Sequence, residues 1–236
     1  DIFVVVAFRI LPERIFAIPP YGSINLHGSL LPKYRGAAPI QWALINGEQE
    51  TGLTTFSLKK KIDAGDIIYQ EKIAIDPEET YDDLAERMSG AAGRVIEKTL
   101  DLIESGDIAP VAQDDSLAMP APKINPADCR IDWSRDHLAL VNFIRGLSSI
   151  PGAFTTFRGK KLKILRARRL MPAPDCDLEP GSILPDSRRL LIAGRGGAIE
   201  VLELIPEGKK KMTGDAFLRG YRPKESEILG DEPKGD

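Results

Sequence analysis

The stretch SINLHGSLLPKYRGAAP, residues 23–39, decides how the rest of the chain is read. Ser23, Ile24, Asn25, Leu26 and His27 alternate polar with apolar, the period of a strand, and Gly28 with Ser29 ends the alternation. Asn25 and His27 therefore leave one face of one strand end. Two positions apart, their Cα atoms lie about 6.5 to 7 Å from each other, so both side chains can converge on a single small group. Leu30, Leu31 and Pro32 follow as an apolar, partly rigid lip, and Tyr34, Arg35 and Gly36 turn the chain towards a helix starting near Ala37. A strand end, a loop and a helix start, in that order, is where open α/β sheets bind ligands.

Transfer at a carbonyl suits such a pair. An Asn amide donates to an oxyanion, and an imidazole donates to the same oxygen or passes a proton to a leaving nitrogen. A carboxylate that would set the imidazole's protonation follows at Asp63, in the sequence KIDAGD between two apolar strands at 52–58 and 67–75. If those strands are antiparallel neighbours, the turn between them carries Asp63 to the mouth of the same cleft. A lone histidine here would read as a core residue, and a lone Asp before Ala64 and Gly65 as a turn residue. Their company favours a site.

Outward from this stretch, residues 2–8 form a continuous apolar run and read as a central strand covered on both faces. Pro12, Pro19 and Pro20 bracket a short helical piece. Residues 37–45 read as a short helix, with Pro39 tolerable in its first turn and Asn46-Gly47 at its end. From Thr80 a longer helix runs to Ser105-Gly106, with Leu84, Met88, Ala91, Val95 and Leu102 on its inward stripe. Residues 107–133 lose regular periodicity and are punctuated by Pro110, Pro120, Pro122 and Pro126, which reads as a linker. The implied division is 1–106, the linker, and 134–236. The last part opens with a helix capped by Ser134, with Leu138, Val141 and Ile144 inward. Short strands at 153–157, 162–167, 189–192 and 199–204, separated by Gly-containing turns, then suggest a small barrel.

The overall charge of −3 hides an uneven division. Residues 1–120 carry 11 Lys plus Arg against 19 Asp plus Glu, a balance of −8, whereas residues 121–236 carry 21 against 16, a balance of +5. Opposite signs suggest two domains with different partners. Between His137 and Pro174 stand eight Lys or Arg and no acid. Lys161 and Lys163 alternate with Leu162 and Ile164, so one strand face turns cations outward. From pattern alone, Arg158, Lys160, Lys161, Lys163, Arg166 and Arg168 read equally well as a solvated face or as a row for a phosphate backbone. Lys209, Lys210 and Lys211 read as a charged turn, and His137 as a surface residue. Gly194, Gly196 and Gly197 precede a strand rather than a helix, which argues against a nucleotide fingerprint. Cys129 and Cys176 lack metal-ligand spacing and read as free thiols. No run approaches a membrane span in length. With 42% apolar and 28% charged residues the composition is that of a cytoplasmic globular enzyme.

Asn25-x-His27, Ser29-Leu30-Leu31-Pro32 and Asp63-Ala64-Gly65 together resemble the active site of the formyltransferases that use 10-formyltetrahydrofolate. Within that family, KYRGAAPIQWALINGE (33–48) is most similar to the branch acting on methionyl-initiator tRNA. The resemblance runs across nearly the whole chain and implies a partial Rossmann-like α/β domain followed by a small OB-like barrel. It also implies roughly another ninety residues before the point matching Asp1, so the chain reads as lacking an N-terminal segment. By the same resemblance, Asn25 and His27 stabilise a tetrahedral oxyanion and Asp63 governs His27. Ser29, Leu30, Leu31 and Pro32 contact the folate, and the basic barrel holds the tRNA acceptor stem. No metal is called for, and a monomer is expected. The alternatives are a formyltransferase for a small amine such as glycinamide ribotide or an amino sugar nucleotide, a folate-dependent hydrolase, and a non-catalytic RNA-binding fragment.

Overall fold

A computed structural model describes residues 1–7, 10–171, 179–224 and 227–230. The chain divides into two compact units, one built from 1–43, 48–79 and 83–123, the other from 44–47, 80–82 and 124–236.

In the first unit, β1 (Phe3–Val6), the short helix α1 (Glu13–Phe16) and β2 (Ser23–His27) are followed by the two-residue strand β3 (Arg35–Gly36) and α2 (Pro39–Ile45). Then come β4 (Glu50–Ser57), β5 (Ile67–Ala74), α3 (Tyr81–Ser105) and β6 (Pro120–Ala121). The main sheet has the order β1-β2-β4-β5, parallel between β1 and β2 and antiparallel thereafter. β1 stands at one end of that path, and Phe3, Val4 and Val6 are 39%, 38% and 49% exposed. The described residues therefore do not supply the two covering layers expected for this apolar run. Phe8, the end of that run, lies outside the described residues.

α3 buries Leu84, Met88, Ala91, Val95 and Thr99. The first four are the expected stripe. In the last turns Thr99 rather than Leu102 is the fully buried residue, because its hydroxyl returns a bond to the Val95 carbonyl (2.7 Å) and meets the Thr55 hydroxyl at 2.8 Å. A threonine satisfied in this way is buried at little polar cost. Residues 107–123 are held within this unit. Val111 bridges Ile67, and β6 pairs in parallel with β3.

The second unit contains α4 (His137–Leu147), β7 (Ala153–Phe157), β8 (Lys160–Arg169), β9 (Ile183–Leu184), β10 (Leu190–Gly194), β11 (Gly197–Pro206), β12 (Met212–Thr213) and α5 (Gly214–Tyr221). Its strands form an antiparallel sheet of order β7-β8-β11-β10-β9, with β12 on β11. Register shifts near Val201 and Glu203 bend the β8–β11 pair, as bulges do. The core gathers Leu140, Ile144 and Leu147 of α4 with Leu162, Ile164, Ile192, Ile199 and Leu204 of the sheet. Phe217 of α5 closes it, edge-on to Phe157 at 5.2 Å.

The cap of α4 is Asp136, whose carboxylate accepts from the Leu138 N–H at 2.8 Å, and not Ser134, which instead donates to Asp132. The helix turns Leu138 outward (43% exposed) and buries Leu140, Phe143 and Leu147 beside the expected Val141 and Ile144. It also buries His137 to 7% exposure, with no hydrogen bond to either ring nitrogen among the described residues, so the surface reading of His137 is corrected. Cys129 is a buried free thiol, pushed above its ordinary pKa first by burial and then by the Asp128 carboxylate. Cys176 lies outside the described residues.

Candidate active site

β2 sits between β1 and β4: Asn25 lies opposite Val5 and Phe56, held by ladders on both sides, and His27, one position beyond the β1 ladder, lies opposite Thr54. The alternation that predicted a strand also puts both side chains on one face. Asn25 is half-buried, and its amide makes no hydrogen bond to any described residue, which leaves its N–H groups free to donate. His27 is buried (6% exposed), and its Nε2 lies 2.8 Å from the Tyr34 carbonyl oxygen. A carbonyl can only accept, so Nε2 carries the proton and Nδ1 is the nitrogen open to exchange.

Nδ1 faces the Asp63 carboxylate, with Oδ2 at 3.9 Å. The structure thus brings Asp63 to His27, although β4 and β5 are joined by the loop 58–66 rather than by a tight turn. The same Oδ2 accepts from the Gly36 N–H at 2.9 Å. Asp63 adopts a left-handed backbone (φ 49°), a conformation that Asp tolerates better than most residues. Two positions on, a Cβ at Gly65 would lie 1.6 Å from the Ser57 carbonyl oxygen, so only glycine fits there.

Ser29, Leu30, Leu31 and Pro32 form the loop beside this pair. Thr54 organises it: its hydroxyl donates to the Ser29 carbonyl at 2.6 Å and accepts from the Leu31 N–H at 3.2 Å. Gln70 adds bonds to the Leu31 carbonyl and to the Thr54 hydroxyl, each 2.9 Å. The Ser29 hydroxyl donates to the Lys33 carbonyl. These polar groups are therefore engaged within the loop, and Leu30 and Pro32 are its half-exposed residues. Leu30 lies over Gly52, where a Cβ would come within 2.5 Å of its side chain.

Several residues of this site carried no sequence signal. Tyr34 (φ 62°) aims its carbonyl at His27 while its buried phenol donates to Glu48 at 2.8 Å. Gln113, in the stretch without periodicity, donates to the carbonyls of Asp63 and Gly65 and accepts from Arg35. Arg35 and Lys61 both bond Asp115, Lys61 foremost, and together hold its carboxyl below the usual carboxylate range. The contacts of Gln113 and Asp115 join residues far apart in the chain.

The basic row on β8 is less uniform than its composition. Arg168 pairs with Glu200 at 2.9 Å, directly opposite on β11, and Arg158 pairs with Glu227 at 2.6 Å. Arg166 stands opposite Glu203. The Lys161 ammonium lies 4.0 Å over the Phe154 ring, and that of Lys163 donates to the Pro151 carbonyl at 2.8 Å. Among the described residues the exposed Lys160 has no ion-pair partner. No group of three or more potential metal-ligating side chains occurs among the described residues, and no described helix is long and apolar enough to cross a membrane.

Residues 1–100 match the formyl transferase family, and residues 123–222 match the formyl transferase C-terminal domain. The solved structure of WlaRD, a sugar 3N-formyl transferase, superposes with a TM-score of 0.71 at 21% identity, over 89% of this chain and 73% of that one. HypX from Aquifex aeolicus gives a TM-score of 0.69 at 21% identity, over 92% of this chain and 38% of that one. These likenesses establish the fold: a formyltransferase α/β domain and the C-terminal domain that accompanies it. Among sequence relatives, the methionyl-tRNA formyltransferase of Chlorobium limicola is 45% identical over 225 residues, 94% of this chain and 71% of the relative. That of Solibacter usitatus is 43% identical over 223 residues, 94% and 71% of the two chains. The chain belongs to the methionyl-tRNA formyltransferase family.

Proposed function

We propose that the protein transfers the formyl group of 10-formyltetrahydrofolate to the α-amino group of methionyl-initiator tRNA, for translation initiation. The observation that carries this reading is the approach of the Asp63 carboxylate to the His27 imidazole at the end of β2, on the strand that also carries the free Asn25 amide two residues before. The family and the names of the relatives supply the substrates.

In this reading the amine attacks the formyl carbon, the C–N bond to the amine forms, and the carbonyl oxygen becomes an oxyanion. The Asn25 amide donates to that oxygen. His27, with Nε2–H committed to Tyr34, carries its second proton on Nδ1, and Asp63 balances the imidazolium charge across the 3.9 Å gap. The proton released by the amine passes through the Asp63–His27 pair to the folate nitrogen, whose bond to the formyl carbon then breaks. Donors preset at the oxyanion contribute because they need no reorganisation as charge develops. Leu30 and Pro32 offer the apolar surface of the folate groove, and Thr54 with Gln70 keeps the loop of Ser29 and Leu31 in shape.

The second unit, as an OB-like barrel, takes the tRNA acceptor stem through Arg158, Lys160, Lys161, Lys163, Arg166 and Arg168. Antiparallel strands bent at bulges and an outward cationic row support this part of the reading. The catalytic domain is the earlier unit, the protein acts as a monomer in the cytoplasm, and the reaction uses no metal. Formyl transfer by the full-length protein, with methionyl-tRNA and glycinamide ribotide offered together, tests the assignment. Formylation of the tRNA alone is expected. Preferential formylation of the small amine, or release of formate without an acceptor, would overturn it.

A further inference from the structure

We propose that Gln113 is a positioning residue for formyl transfer, holding the 63–65 turn so that the Asp63 carboxylate stays on the Gly36 N–H and beside His27. The proposal rests on the role given to Asp63 above.

The Gln113 side chain is fully engaged. Its Nε2 donates to the carbonyls of Asp63 (2.9 Å) and Gly65 (2.7 Å), while its Oε1 accepts from Arg35 Nε (3.0 Å) and Nη2 (2.7 Å). A guanidinium only donates and a carbonyl only accepts, so the amide has one orientation that satisfies all four bonds. The guanidinium is itself held from the other side, where Nη1 donates to Asp115 at 2.7 Å. Asp115 also takes Lys61, two residues before Asp63.

These bonds close a loop around the site. Arg35 directly precedes Gly36, whose N–H is the donor to Asp63 Oδ2. One amide therefore grips both parties to that contact: the backbone of the residue that supplies the carboxylate and the side chain beside the residue that supplies the N–H. The Asp63 backbone is left-handed (φ 49°), a shape that costs most non-glycine residues and that Asp tolerates better, so the bonds from Gln113 to this turn help to keep it. Without the Gln113 donors, the carbonyls of Asp63 and Gly65 lose that partner. The turn is then free to relax, and the carboxylate moves away from Gly36 and from His27 Nδ1.

The test uses Q113A, Q113E, D63N and the double variant Q113A/D63N in the full-length protein, with kcat and KM for methionyl-tRNA measured for each. Q113E keeps the acceptor for Arg35 and nearly the same volume but loses the paired donation to the turn, so it reports even if Q113A fails to fold. For both single Gln113 variants, kcat is expected to fall at least tenfold while KM changes by less than twofold. Q113A is expected to slow D63N no further, since its action runs through Asp63. Wild-type kcat in Q113E would overturn the proposal, as would an equal loss from Q113A in the wild-type and D63N backgrounds. Wild-type kcat in D63N would instead overturn the role of Asp63 itself.

Discussion

Asn25, at the end of β2, keeps its amide free of every described partner, whereas Arg168, on β8, has its guanidinium committed to Glu200 on the next strand. Both regions were singled out by residue types in a strand-period pattern, yet tertiary structure treats them differently. At β2 the neighbouring polar groups Thr54, Gln70, Gln113 and Tyr34 are bonded inward, and the Asn25 amide is left available. Along β8 it partly neutralises the groups themselves, because β11 lies alongside with Glu200 and Glu203 in register. A site for chemistry needs a few preset donors, while a surface for a polyanion needs only a net excess of charge. The second tolerates internal pairing that the first would not.

The sharpest way to break this comparison is to remove the free donor. Asn25→Ala in the full-length protein should lower kcat for formyl transfer by about 10²- to 10³-fold, the usual cost of losing one oxyanion donor. Steady-state rates decide it, and a change of less than threefold would mean that the amide is idle. Next comes the turn that carries the carboxylate. Gly65→Ala forces a Cβ against the Ser57 carbonyl and should destabilise the first unit by about 1 to 3 kcal/mol, read as a lowered unfolding midpoint by calorimetry.

On the other side of the comparison, effects should be smaller and dependent on salt. Lys160→Ala should lessen the slope of log affinity for tRNA against log salt by about 0.7 to 0.9, as for one lost phosphate contact. Glu200→Gln should raise tRNA affinity a few-fold by releasing Arg168, and unchanged affinity would show that this arginine does not reach the nucleic acid. The smallest effect concerns Asp186. The N–H groups of Arg188 and Arg189, and then the Arg189 guanidinium, hold its carboxyl down at about 2 from an ordinary 3.8. A depressed folded pKa stabilises the fold above the unfolded value, so that contribution is complete above about pH 4 and is lost as the pH falls towards 2. Carboxyl NMR titration of wild type against Arg189→Ala checks the direction.

Much of the fold was legible in residue order. The alternation at 23–27 gave β2, the stripe through Val95 gave α3, and the glycine-punctuated runs gave β7, β8, β10 and β11, with ends off by a few residues. The two-residue strands β3, β6, β9 and β12 were not read, since two residues carry no period, and the eight-residue helix α5 was not read either. Val141 and Ile144 are buried as expected, but Leu138 is not, because steps of three residues each fall about 60° short of a full turn and so carry position 138 off the face that holds 144; His137 is buried rather than at the surface.

Sequence by itself determined the order of the candidate groups: an amide and an imidazole two residues apart at a strand end, and a carboxylate before a glycine further on. Only the tertiary structure decided which imidazole nitrogen is open, which groups hold Asp63 in place, and which cations are already paired. Periodicity reports the face a side chain occupies. It is silent about partners 50 or 80 residues away, such as Gln113 beside Asp63 and Arg35 beside Asp115, because those contacts exist only once strands and loops from distant parts of the chain have packed together.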